Sequence, residues 1–296
     1  MNSIMRAGNQ KPLPWWTWVL SFIVCHLGTR LSLALQSAPG ISFSHLSLPL
    51  GFILTCWWGP RALIGFSLNA IFSAHIWGIT QPHQWFLYAL PKIVSVSAGW
   101  WLFVKASKGK CWLPDINQLA LFILFGVLPV SVINGAFLSG LLVNWGAIMP
   151  QSFLQQSGNE ILVVIIDFLF LCLPLGVFLT PLMEKRGWSL THGAGFTPLL
   201  PKERQTNLAK WESVLILIVL LLTSRLLPVE QYWAIYSPIA LWAALRFGMG
   251  MAALACSWIL FLVIYVSQLF PFFASGYVVG QENLAFIRLT LIIPCI

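Results

Sequence analysis

Apolar residues run in long unbroken stretches separated by short polar or basic connections. That pattern predicts helices that cross a bilayer. Ten stretches can be marked, at 15–36, 41–58, 61–80, 84–104, 119–144, 159–181, 211–228, 232–247, 249–270 and 283–296. Several reach about 20 residues, the length a helix needs to cross ~30 Å of hydrocarbon. A backbone in lipid must satisfy its own hydrogen bonds, and continuous runs do so as helices, whereas barrel strands would alternate. The expected fold is all-α, a polytopic transmembrane helical bundle of about 8–10 spans. The second and eighth stretches are short and carry Pro49 and Pro238, so a sharp kink or a re-entrant path is expected there. The last stretch, at about 21 Å of helix, is short for a crossing and reads as a truncated final span. Residues 1–14 form a cytoplasmic segment and 15–296 one transmembrane domain. Trp15–Gln36 is too long for a signal peptide and reads as an uncleaved first span.

Composition agrees, with 58% of the 296 residues hydrophobic and only 8% charged. A soluble domain carries about a quarter of its residues charged, which excludes that class. The net charge of +8 does not point to nucleic acid, because the basic residues lie in the connections between spans. With the N-terminus inside, one set of connections holds Arg61, then Lys105, Lys108 and Lys110, then Lys185, Arg186, Lys202, Arg204 and Lys210, then Arg246. The opposite connections, near 37–40, 81–83, 145–158, 229–231 and 271–282, hold no Lys or Arg. The positive-inside rule then places both termini in the cytoplasm.

Tryptophans gather at the same levels. Trp15, Trp16, Trp57, Trp58, Trp100, Trp101 and Trp211 fall at cytoplasmic ends, and Trp77, Trp85 and Trp233 near external ends, so they are expected to be interfacial anchors. The six cysteines show no CxxC pair and sit mostly in apolar runs, as small hydrophobes. The long 182–210 connection reads as a solvated connector facing lipid headgroups. Residues 29–36 align with 224–231, and Pro49–Gly59 repeats the spacing of Pro238–Gly248, which predicts that spans 1–3 and 7–9 are parallel structural repeats.

Charges inside spans are the informative ones, since a charge at the bilayer centre costs at least ~2.5–3.5 kcal/mol. Arg30, Lys92, Arg225 and Arg288 lie in the external halves of their spans, as do Glu160, Glu230 and Glu282, with Asp167 deeper. The expectation is a polar site in the outer half of the bundle, with Arg30, Lys92, Asp167 and Arg225 as ligand-binding candidates. The competing expectation is snorkelling and structural ion pairing. His26, His45, His75 and His83 lack metal-ligand spacing, and no metal or cofactor is expected. Gly135–Ser139, Ala136–Gly140 and Gly248–Ala252–Cys256 predict close helix packing. No GxSxG, HExxH or P-loop pattern occurs, so no catalytic residue and no enzymatic activity are expected.

Two segments carry a family resemblance. Ser237–Ala255 contains Trp242, Ala244, Arg246, Phe247 and Gly248, and Leu48–Ile71 contains Pro49, Gly51, Gly59, Arg61 and Asn69. Both are similar to segments of the first class of bacterial membrane-associated sensor domains, the MASE type. Asp167 followed by Pro174–Leu175 echoes a third feature of that family, at a different spacing and without the following glycine. The resemblance implies the N-terminal sensory module of histidine kinases and cyclic-di-GMP enzymes, placed as a multi-pass protein in a bacterial inner membrane. It implies signal transduction to a cytoplasmic output domain that this chain does not contain. Expected partners are the lipid bilayer and an unidentified small ligand or membrane protein, with a homodimer compatible and nucleic acid excluded. The main alternative is a secondary transporter or permease for a small solute, with access alternating around the Pro49 and Pro238 spans. A third reading is a subunit that only binds another membrane protein.

Overall fold

The computed structural model describes residues 13–191, except 35, 39, 40, 43, 112, 114, 115 and 147, together with 246–261 and scattered positions between 211 and 242. These residues are helical but for one short antiparallel hairpin, and three of the helices are long and apolar enough to cross a membrane.

Helix α1 (Thr17–Ala34) leads into strands β1 (Gln36–Ala38) and β2 (Ile41–Ser42), then into α2 (Ser47–Trp58). Gly59 alone turns the chain into α3 (Pro60–Ile76), and α4 (Pro82–Ala106) returns. Helix α5 (Ile116–Leu121) passes through a π-helical turn, Phe122–Val127, into α6 (Leu128–Asn144). Helix α7 (Phe153–Pro174) passes through a second π turn, Leu175–Leu179, into α8 (Thr180–Lys185). Helix α9 (Met249–Leu260) packs on α7. The helix from Pro150 to Lys185 is 36 residues long, about 54 Å, well beyond the ~30 Å hydrocarbon core.

The outside of the bundle is apolar and much of its polar chemistry is inside. Ile23, Leu27 and Leu31 on α1, and Ile64, Leu68 and Phe72 on α3, form exposed stripes at four-residue spacing. Thr29, Asn69, Lys92, Asn134, Glu160 and Asp167 are buried. A soluble fold inverts this arrangement, so the surface chemistry reinforces the lengths of the helices.

At the core, Phe52 meets Phe103, Phe122 and Phe168 with ring centroids 6.1, 6.0 and 5.2 Å away. Gly135 lets α6 close on α7, where a Cβ would meet the Ser157 carbonyl at 3.1 Å, as the small-residue spacing predicts.

Three expectations need correction in detail. The 41–58 stretch is not one helix, because its first residues belong to the hairpin and to an irregular segment at 44–46. Pro49 does not kink α2, since it lies in the first turn, where a missing N–H leaves no bond unmade. Trp57 and Trp58 are not interfacial anchors, being 2% and 1% exposed. Trp57 Nε1 donates to Thr180 Oγ1 at 2.9 Å and Trp58 Nε1 to the Trp188 carbonyl at 2.7 Å. Trp15 and Trp101 do face outward.

Of the two candidate repeats, the second lies mostly outside the described residues, including 224–231 and Pro238. Its described start matches the first at one point. Gly59 (φ 60°, ψ −143°) and Gly248 (φ 83°, ψ −171°) both precede a helix in a backbone conformation reserved for glycine.

Candidate functional site

The segment 44–46, between the hairpin and α2, meets α7 at Asp167, which is 1% exposed. Ser44 Oγ donates to its Oδ1 at 2.8 Å, and the His45 backbone N–H donates to its Oδ2. Beside this, the Leu46 N–H donates to Ser32 Oγ of α1 at 2.9 Å. The start of α2 offers no side chain of its own for these amides. A carboxylate 122 residues away in sequence therefore holds the segment that enters α2, near the positive end of the helix dipole, which favours it. Each hydrogen bond to a charged group contributes about 1.5–3 kcal/mol. Two of them offset the ~2.5–3.5 kcal/mol of burying a carboxylate in a membrane.

The network continues through His45, whose Nε2 lies 2.7 Å from Glu160 Oε2. Gln156 Nε2 donates to Glu160 Oε1 at 3.1 Å. Glu160 also acts through space on Tyr88 and Lys92 of α4. The Lys92 ammonium stands 4.1 Å from the centre of the Tyr88 ring, a cation–π contact. Tyr88 in turn packs with Ala74 and Leu138, among Trp77, Trp85 and Trp145, which close that end of the bundle.

Helix α7 carries the site toward the opposite end. It runs parallel to α2 and is joined to it at three levels: Asp167 with Ser44 and His45, the Cys172 thiol donating to the Pro49 carbonyl at 3.1 Å, and Thr180 with Trp57. The Leu190 N–H then donates to the Trp57 carbonyl at 2.7 Å, and Trp16 stacks edge-on against both Trp58 and Trp188.

Lys92 and Asp167 thus belong to one buried network. Arg30 does not join it: it is exposed on α1, with its Nε 3.4 Å from His26 Nε2 one turn earlier. Arg225, Arg288, Glu230 and Glu282 lie outside the described residues. Among the motif positions, Asn69 is buried and donates to Thr29 Oγ1 at 3.2 Å, tying α3 to α1. Pro49 and Gly59 bound α2, and Trp242 packs edge-on to Phe247. Arg246 pairs with Glu212 at 3.2 Å in an exposed position. Ser44, Gln156 and Asn134 were not singled out in the sequence. The sequence carries no signal that sets any of them apart from the other polar residues in the apolar runs. Among the described residues no three His, Cys, Asp or Glu side chains form a metal-ligating group.

No protein-family model matches this chain, and no curated protein or solved structure is significantly similar to it. The geometry above defines a membrane protein with a buried ionisable network.

Proposed function

We propose that this chain is the sensory module of a bacterial signalling protein, of the membrane-associated class its motifs resemble. In this reading it crosses the inner membrane about 8–10 times with both ends cytoplasmic, and relays an input to a kinase- or cyclase-type output domain. The observation that carries the reading is the three-level coupling of α2 to α7. A change at the Asp167–His45–Glu160 network reaches Thr180 and Trp57, about 20 Å further along α7, without leaving two bonded helices. A ligand that binds one packing of these helices better than another shifts the population of the far end. The π turn at Leu175–Leu179 supplies a place where α7 can change pitch.

The permease reading leans on spans broken at Pro49 and Pro238. Pro49 sits in an unbroken first turn, and Pro238 is outside the described residues.

A chimera with a diguanylate cyclase domain joined after Ile296 tests the sensor. Its cellular cyclic-di-GMP is expected to change about fivefold or more in Asp167→Asn, the range of a typical coupling free energy. Unchanged output in the variant, together with solute accumulation by proteoliposomes holding the chain alone, would replace the sensor with a permease. Orientation is checked separately. Reporter fusions at Lys110 and Gly187 are expected to score cytoplasmic and a fusion at Gly146 external, and the reverse pattern overturns the topology.

A further inference from the structure

Helix α2 is held at both ends by residues outside it. It is 12 residues long, about 18 Å, too short to cross ~30 Å of hydrocarbon, and is buried at every position but Leu50. At its entry the His45 amide donates to Asp167 and the Leu46 amide to Ser32 Oγ. At its exit the last carbonyls of the helix need partners from elsewhere. The Leu190 N–H donates to the Trp57 carbonyl at 2.7 Å, and the Trp58 indole N–H donates to the Trp188 carbonyl at 2.7 Å.

The 182–210 connection, expected to be solvated throughout, thus begins docked on α2. Gly187, at φ 70°, turns the chain off α8, and the Trp188 amide closes that turn on the Met183 carbonyl at 2.9 Å. Ser189 Oγ and Thr191 Oγ1 lie 2.6 Å apart, and the Thr191 amide donates to Ser189 Oγ at 3.0 Å, so the segment holds its own shape. Leu190 lies over Gly59, where a Cβ would come 2.9 Å from its Cδ1. Trp16 stands edge-on to both Trp58 and Trp188. A short segment fastened in this way opens locally at lower cost than the bundle unfolds. Between the two ends of α2 its tie to α7 is weaker, a thiol of Cys172 donating to the Pro49 carbonyl. The π turn at Leu175–Leu179 also interrupts the α7–α8 helix between Asp167 and Thr180. A weak middle tie beside an irregular turn permits small sliding of one packed helix along the other.

We propose that α2 is a rod that opens and closes a clasp formed by Gly187–Thr191. When Asp167 grips the 44–46 segment, α2 sits where the Trp57 carbonyl and the Trp58 indole meet the clasp. When that grip loosens, α2 slides along α7, both bonds part, and the start of the 182–210 connection comes free. The device deepens the sensory reading, on which its purpose rests, by assigning the element through which a signal leaves the bundle. Its coupling is measured without any output domain.

Hydrogen–deuterium exchange of the full chain in lipid nanodiscs tests the device from both ends. The Leu190 amide is expected to be protected in the wild type and to exchange about fivefold faster or more in Asp167→Asn. Coupling is reciprocal, so Trp58→Phe, which removes the indole donor to the clasp, should speed exchange of the His45 and Leu46 amides by a similar factor. Helix α6, away from both ends of α2, should exchange at the wild-type rate in each variant. An unprotected Leu190 amide in the wild type means that no clasp is docked. Variants that act only at their own end, or that speed α6 equally, overturn the coupling. Should Asp167→Asn not fold, Ser44→Ala, which leaves the carboxylate in place, is read with the same outcomes. If the coupling fails while the chimera still responds to Asp167→Asn, the sensor stands and its signal leaves by another route. A coupled clasp in an unresponsive chimera keeps the device and removes the sensor.

Discussion

Replacing Asp167 with leucine is expected to lower the stability of the protein by about 2–6 kcal/mol, the cost of leaving two buried donors without an acceptor at about 1–3 kcal/mol each. The leucine fills most of the volume, so the loss is not a cavity effect. It comes from the Ser44 hydroxyl and the His45 amide, which lose their acceptor in a place water does not reach. Asp167→Asn keeps one carbonyl acceptor but turns an amide donor toward these donors, and a smaller loss of about 1–2 kcal/mol is expected. Ser44→Ala removes a single bond and should cost about 0.5–1.5 kcal/mol. Reversible unfolding in mixed micelles, followed by tryptophan fluorescence, ranks the three. If Asp167→Leu costs no more than Ser44→Ala, the carboxylate does not hold the entry to α2.

The long helices were legible because hydropathy alone reports them: α4, the α5–α6 helix and the α7–α8 helix each cover a predicted stretch and extend beyond it. What hydropathy does not report is where irregular backbone is tolerated. Residues 44–46 directly precede α2, yet they leave the helical path because Asp167 and Ser32 answer the amides of His45 and Leu46. Those partners are 122 and 14 residues away, and no local pattern announces them. Trp57 and Trp58 failed in the same manner. A tryptophan pair at a span end resembles an anchor until a partner for each indole N–H is known, and here Thr180 and the Trp188 carbonyl supply it.

For the site, the rule that a membrane-embedded charge has a reason picked out Lys92 and Asp167. It also picked out Arg30, which a long side chain on a lipid-facing helix satisfies locally. Charge type thus separated the buried network from the surface only for the short carboxylate, which cannot reach away from its own helix. Asn134 was missed because a neutral amide does not stand out against serines and threonines that bond back to their own helix, as Ser131 does to the Leu128 carbonyl.

Gly65→Ala is expected to destabilise the protein at or beyond the upper end of the ~1–3 kcal/mol usual for overpacking. Helices α1 and α3 run parallel and touch through this glycine. An added Cβ would overlap the Trp18 carbonyl oxygen and stand 2.9 Å from both the Phe22 nitrogen and the Ser21 Cβ. Backbone cannot swing aside as a side chain does, so the two helices must separate along their length. The Asn69–Thr29 hydrogen bond, 3.2 Å at present, would open with them. Gly51→Ala makes a useful comparison, because the three atoms nearest to its Cβ all belong to the ring of Phe66, whose rotation can relieve part of the overlap. Its cost should be smaller. Gly158→Ala carries the same chemistry to a position inside α7 with nothing within 4 Å. There the smaller conformational entropy that alanine loses on entering a helix should raise stability by about 0.5–1 kcal/mol. The same methyl group therefore changes sign with its neighbours, and unfolding midpoints of the three variants in one lipid system measure that order. A Gly65→Ala protein as stable as the parent would mean that α1 and α3 do not meet at this glycine, and the packing that buries Thr29 and Asn69 would have to be redrawn.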